Sequence, residues 1–99
     1  MLYAIIATDV ENSQSLRGAT RPRHMIYLKE LVDAGKVILA GPHPAIDSPD
    51  PGPAGFTGSL IIAEFDSLDD AQTWANNDPY FLEGVFQNVV VKPFLKVSL

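Results

Sequence analysis

His24 and His43 are the only histidines in the chain, and imidazole is the side chain whose ordinary pKa lets it exchange a proton near neutral pH. His24 closes the run Arg21-Pro22-Arg23-His24. Two guanidinium groups beside it supply planar donors for a carboxylate, sulfate or phosphate. Pro22 suits the first position of a helix, where its missing N–H costs nothing. The run is therefore expected to open a helix, with Thr20 or Arg21 as its cap. The first-turn N–H groups of a helix lack internal partners and carry the positive end of the dipole, which would strengthen an anion site there. The chemistry expected is proton transfer on an anionic small molecule, with Arg21 and Arg23 as its holders.

A histidine works better as a base when a carboxylate fixes its tautomer and stabilises its charged form. Asp78, in Asn77-Asp78-Pro79-Tyr80, is one candidate. An Asx-Pro step also caps turns, so the same residue has a purely structural reading. Asp33 is a second acid, expected at the foot of the first helix and far from His24. His43, in Gly41-Pro42-His43, either assists or belongs to its loop. Covalent phosphorylation of His24, with the arginines holding the phosphoryl oxygens, is a further chemistry open to this set.

Other chemistries find no support. The chain has no cysteine, which removes thiolate zinc sites, disulfides and cysteine nucleophiles. The two histidines lack metal-ligand spacing, so neither metal nor cofactor is expected. The glycines from Gly52 to Gly58 lead into a strand rather than from a strand into a helix, and Ser13, Ser15, Ser48 and Ser59 form no nucleophile motif.

These side chains must be positioned by a small frame. Ninety-nine residues, 46% hydrophobic, allow one domain with its own core. A net charge of −5 argues against nucleic acid or an anionic membrane as partner. The start of the chain lacks a signal-peptide pattern, and no apolar run approaches the roughly 20 residues of a membrane span. A cytoplasmic protein is expected.

Periodicity predicts strands over 2–8, 37–40, 59–65 and 86–92, and helices over 22–34 and 68–76. Residues 9–20 and 41–58 read as long loops, the second broken by five prolines, and 80–84 as a turn. Met25, Leu28, Leu31 and Val32 form the apolar stripe of the first helix, with His24 at its edge. Leu68, Ala71, Trp74 and Ala75 form that of the second. Gly35 and Ser67 are natural end residues for these helices. Residues 93–99 are expected as a short fifth strand at an edge or with a partner.

The order β-α-β-β-α-β, with right-handed crossovers, is the ferredoxin-like α+β arrangement, with an antiparallel sheet and both helices on one face. It sends the start of the first helix, the end of the second and the turn at Gly41-Pro42-His43 to the same end of the molecule. His24 and Asp78 thereby become neighbours. The other sheet face is left bare and apolar, which calls for a homodimer through sheet packing.

Residues 1–97 resemble the YciI family. The resemblance rests on Met1-Leu2-Tyr3, Arg21-Pro22-Arg23-His24, Ala40-Gly41-Pro42, the run Pro51 to Ser59, Ala63-Glu64-Phe65, Asn77-Asp78-Pro79-Tyr80 and Val91-Lys92-Pro93-Phe94. It implies a dimeric α+β barrel and a shared histidine and aspartate suspected of catalysis, here His24 and Asp78. It also implies relatives that act as cofactor-free lyases removing halide from an aromatic ring, or as lactone isomerases. The function expected is a cofactor-independent lyase or isomerase, with His24 and Asp78 catalytic and Arg21, Arg23, His43 and Tyr80 binding an anionic substrate. The alternative is a non-catalytic, metabolite- or anion-binding homodimer.

Overall fold

A computed structural model describes the chain from Met1 to Leu99. Its elements are β1 (Leu2–Asp9), α1 (Gln14–Asp33), β2 (Val37–Pro44), β3 (Phe56–Glu64), α2 (Leu68–Asn76), α3 (Pro79–Leu82) and β4 (Phe86–Phe94), with a 3-10 turn at Gly52–Ala54. The strands form one antiparallel sheet in the order β2-β3-β1-β4. This is the ferredoxin-like α+β topology expected, the subunit fold of the dimeric α+β barrels. No helix is long and apolar enough to cross a membrane.

Strand alternation sorts the side chains. Tyr3, Ile5, Ile61 and Ala63 point to the helices, where Leu28, Leu31, Phe65, Ala71 and Ala75 complete the main core. A smaller cluster of Ala7, Tyr80, Val85 and Phe86 sits beneath α3. On the opposite face the register aligns Leu39, Ile62, Ala4 and Lys92 in one row, and Gly41, Leu60, Ile6 and Val90 in the next. No helix covers these rows.

The largest departure from expectation is the start of α1. The helix begins at Gln14, so residues 14–20 are helical and Pro22 lies inside it. Pro22 forfeits the bond its N–H would give to the Gly18 carbonyl, at a cost of about 3 kcal/mol or more in a helix interior. Both residues face solvent, so water can reach the freed carbonyl. The loss is offset by a buried face running through Arg17, Thr20, His24, Leu28 and Leu31. Met25 and Val32, expected on the inner stripe, are exposed. His24 stands ten residues along α1, roughly 15 Å from its first turn. An anion site made from the helix N-terminus and the Arg21–His24 run is therefore excluded.

The far end of α1 follows expectation. Gly35 takes the left-handed conformation, its N–H reaches the Val32 carbonyl, and the Lys36 N–H reaches that of Leu31, closing the helix with a Schellman turn. Ser67 caps α2, accepting from the Asp70 N–H at 3.0 Å, although Leu68 is exposed rather than inward. β2 continues through Pro42 to Pro44, where a loop was expected. It is an edge strand, so prolines can occupy it without breaking a second ladder. Residues 95–99 form no fifth strand, and residues 80–82 belong to the short helix α3 rather than to a turn.

Candidate active site

The site grows from the first half of α1 and from α3. His24 is on the buried face of α1. Asp78 is the N-cap of α3, its Oδ1 accepting the Tyr80 N–H at 2.9 Å. Pro79 in the first position fixes the backbone there. The cap places the carboxylate against the histidine ring. His24 Nδ1 lies 2.8 Å from Asp78 Oδ1 and 3.1 Å from Oδ2. Both side chains are almost wholly buried, at 9% and 3% exposure. With the carboxylate accepting, Nδ1 carries the proton, and Nε2 is left for a ligand.

Tyr80 completes the wall. Its ring stacks on His24, with centroids 4.0 Å apart and planes 14° from parallel. Burial pushes the Tyr80 phenol above its ordinary pKa; Arg17 and Arg21 pull it back, and Asp78 adds to the rise. The hydroxyl therefore stays protonated at neutral pH and can donate.

Arg17 lies against the Tyr80 ring, its Cζ 4.8 Å from the centroid. Its Nε donates to Asp9 Oδ2 at 2.9 Å, and its Nη2 to Asp9 Oδ1 at 3.2 Å and to the Gly58 carbonyl at 3.1 Å. This is a bidentate, buried ion pair joining the ends of β1 and β3 to α1.

A cavity of about 200 Å³ opens between α1 and the β2–β3 edge of the sheet. Arg17, Arg21, His24, Met25 and Leu28 line it from α1; Ala40, Gly41 and Pro42 from β2; Ser59 and Ile61 from β3; and Tyr80 from α3. The sheet side is apolar apart from Ser59, and α1 contributes Arg17, Arg21 and His24 beside the apolar Met25 and Leu28. No three His, Cys, Asp or Glu side chains converge here or elsewhere to hold a metal ion.

The residues expected from sequence divide cleanly. His24, Asp78 and Tyr80 meet in one contact group, and Arg21 lines the cavity from an exposed position. Arg23 does not: it pairs with Glu83 at 3.0 Å on the outside, both side chains exposed. His43 does not either. Its register partner is Gly58, beside Thr8, which puts it on the uncovered face of the sheet, away from the cavity. Asp33 pairs with Lys29 near the other end of α1. Arg17, Asp9 and Ser13 were not anticipated. A signal existed: Ser13, Arg17, Thr20, His24, Leu28 and Leu31 keep helical spacing across both halves of α1, but the first half is polar.

The YCII-related domain family matches residues 1–95 of this chain. The chain belongs to the YCII-related family. It is 55% identical over 97 residues to Protein YciI of Escherichia coli, covering 98% of this chain and 99% of that protein. An uncharacterized protein of Haemophilus influenzae is 47% identical over the same coverage. Among solved structures, this YCII-related chain is similar to the 5-chloro-2-hydroxyhydroquinone dehydrochlorinase of Burkholderia phenoliruptrix in complex with 2,5-dihydroxybenzoquinone. The TM-score is 0.85 at 27% identity, covering 96% of this chain and 94% of the other.

Proposed function

We propose that the protein is a small acid/base enzyme of the lyase or isomerase type, needing no cofactor and acting on an anionic small molecule. One observation carries this reading: the buried His24–Asp78 pair lies on the wall of a cavity that also holds Arg21 and Tyr80. Asp78 orients the imidazole and keeps the proton on Nδ1. Nε2 removes a proton from a C–H or O–H of the ligand. The electron pair so released moves into the ligand, where it expels a leaving group or is delocalised onto an oxygen. Tyr80 and Arg21 stabilise charge on that oxygen. The same imidazolium then returns its proton to the product or to water. The cavity is smaller than the roughly 300–1,000 Å³ typical of drug-sized ligands, which suits a single ring.

The dehydrochlorinase similarity supports this class of reaction. A lyase of the same kind would release halide from a halogenated hydroxyhydroquinone. The test is halide release and quinone formation by the purified protein, with His24→Asn as control. Binding of such compounds without turnover, equal in the parent and the variant, would favour a non-catalytic metabolite-binding protein instead.

The working form in this reading is a homodimer. Ile6, Leu39, Val90 and Phe94 are 36% to 47% exposed on the uncovered sheet face, and a second copy packed sheet to sheet would bury them.

A further inference from the structure

The sheet gives the cavity one polar side chain, Ser59. It lies on β3, an inner strand, in the row that pairs it with Ala7 on one side and Pro42 on the other. Its side chain points to the helices, as those of Ile61 and Ala63 do along the same strand, and the residue is 7% exposed. Its hydroxyl has no hydrogen-bond partner within the chain. It is not sealed either: among side chains that are not exposed, Thr20 Oγ1 is the one unpartnered polar atom closed to solvent. Ser59 Oγ therefore opens into the cavity that the residue lines. Alanine would fill nearly the same volume between Ile61 and the row of Ala7. Serine puts there a group that both donates and accepts.

The backbone carrying that hydroxyl is held firmly. β1 and β2 flank it on both sides. Arg17 Nη2 donates to the Gly58 carbonyl at 3.1 Å, fixing the peptide group that leads into Ser59. The same guanidinium is clamped by Asp9, which in turn accepts from Ser13 Oγ at 2.7 Å. Arg17 also hydrogen-bonds the Tyr80 phenol, so its donors serve the wall itself. The buried Arg17–Asp9 pair, which the proton transfer does not use, thus positions the strand in front of Ser59. With little more than one side-chain rotation left free, the hydroxyl is a preorganised hydrogen-bonding group.

Its neutrality selects what it binds. The charged donor free for a ligand is Arg21, exposed at the mouth of the cavity on α1. An anionic group pairs best there. On the sheet side the neighbours are the apolar Pro42 and Ile61, which would leave a second charge poorly solvated. An uncharged oxygen suits that wall.

We infer that Ser59 is a ligand-binding residue, its Oγ hydrogen-bonded to an uncharged hydroxyl or carbonyl oxygen of the substrate. This rests on the acid/base reading and narrows its substrate class to a small anion carrying a second, uncharged oxygen. Arg21 holds the anionic end, Ser59 the uncharged oxygen, and His24 Nε2 moves the proton.

The probes are benzoate, 3-hydroxybenzoate and 4-hydroxybenzoate, which share one charge and differ by a single neutral hydroxyl. Each is titrated into the parent, Ser59→Ala and Arg21→Ala, with binding followed by NMR. The parent is expected to bind at least one hydroxybenzoate about three- to tenfold more tightly than benzoate, the scale of one neutral hydrogen bond. Ser59→Ala should erase that preference while leaving benzoate affinity and Tm unchanged. Arg21→Ala should weaken all three alike, and by less at high salt. A parent without the preference would overturn the inference, and that comparison needs no variant. So would a preference that survives in Ser59→Ala, or a Ser59→Ala protein that loses benzoate equally. The acid/base reading fails separately: it falls if His24→Asn turns over a halogenated hydroxyhydroquinone as fast as the parent.

Discussion

Asp78 holds His24 through both carboxylate oxygens, and the nearer one, Oδ1, is also the atom that caps α3 by accepting the Tyr80 N–H. Capping the helix and orienting the histidine are therefore one arrangement. The cap fixes where the carboxylate stands, and the carboxylate fixes which nitrogen of His24 faces the cavity. The fold contributes the rest by bringing α1 and α3 together across a gap of 54 residues in sequence.

Asp78→Asn isolates the charge in that arrangement. The amide oxygen can still accept from both Nδ1–H and the Tyr80 N–H, so the fold should survive. Turnover is expected to fall by about 10²-fold or more, the usual scale of general acid–base catalysis. His24→Ala should do the same, and the double variant should be scarcely worse than either, because both changes disable one unit. Steady-state kinetics of the three variants decide the matter. Losses that multiply would separate the two residues.

Arg21 and Arg23, equivalent in sequence, should behave differently. Arg21→Ala removes a basic group from the cavity wall and should raise the Kd for an anionic ligand severalfold with little change in Tm. Arg23→Ala breaks only an exposed pair with Glu83, a contact worth about 0–1 kcal/mol. Its ligand affinity should match that of the parent. Equal weakening by both substitutions would mean that the site responds to overall charge rather than to Arg21.

The homodimer can be tested on the sheet face itself. Ile6 lies in a central row of the uncovered face, between Leu60 and Val90, and is 36% exposed. Ile6→Glu would place a charge in the middle of a packed interface while leaving the helix-side core untouched. Sedimentation should show a dimer for the parent at micromolar concentration and a shift toward monomer for the variant. A parent that sediments as a stable monomer removes this assembly.

The sequence carries the frame more clearly than the site. The bounds of α2, its Ser67 cap and the Gly35 terminus are legible because each depends on a few local residues. The meeting of His24 and Asp78 is legible in part: topology brings the upper half of α1 and the segment after α2 to the same end of the sheet, but His24 stands mid-helix rather than at the start of α1. The start of α1 is not, for a physical reason. Its inward positions Ser13, Arg17 and Thr20 face a polar site, so a search for apolar periodicity stops at His24, and Pro22 then looks like a beginning. Arg17 disappears into a supposed loop with it. The end of β2 is hidden for a related reason: proline counts against a strand in general, but not on an edge. His43 could be excluded only by register, which pairs it with Gly58 on the uncovered face.

Thr20 offers a test of stability within the same stretch. It is 1% exposed, and its Oγ1 has no hydrogen-bond partner. A buried hydroxyl without a partner carries a desolvation penalty of about 1–3 kcal/mol. Thr20→Val keeps the shape and removes the penalty, so stability should rise by about 1 kcal/mol. In a domain of this size that corresponds to a Tm increase of roughly 4–8 °C. Thr20→Ser, which keeps the hydroxyl and loses a methyl, should move the other way. A Thr20→Val protein less stable than the parent would show that the hydroxyl has a partner in solution, with bound water the first to examine.

The alkaline limb of stability should depend on Tyr27. Its hydroxyl donates to the Trp74 carbonyl at 2.7 Å. Burial, then the charges of Asp78 and Glu30, push its pKa from 10.0 up to about 12. The folded state thus keeps a proton that the unfolded chain gives up earlier. The stabilising contribution is complete below pH 10, the unfolded value, and is lost as pH rises toward about 12. Denaturant midpoints measured across that window should fall with pH in the parent. Tyr27→Phe has no proton to lose. It should start less stable, having lost the bond to Trp74, but decline less steeply. The remaining slope should include Tyr80, whose pKa is also raised by burial. Parallel declines in the two proteins would show that Tyr27 does not titrate with folding in this range.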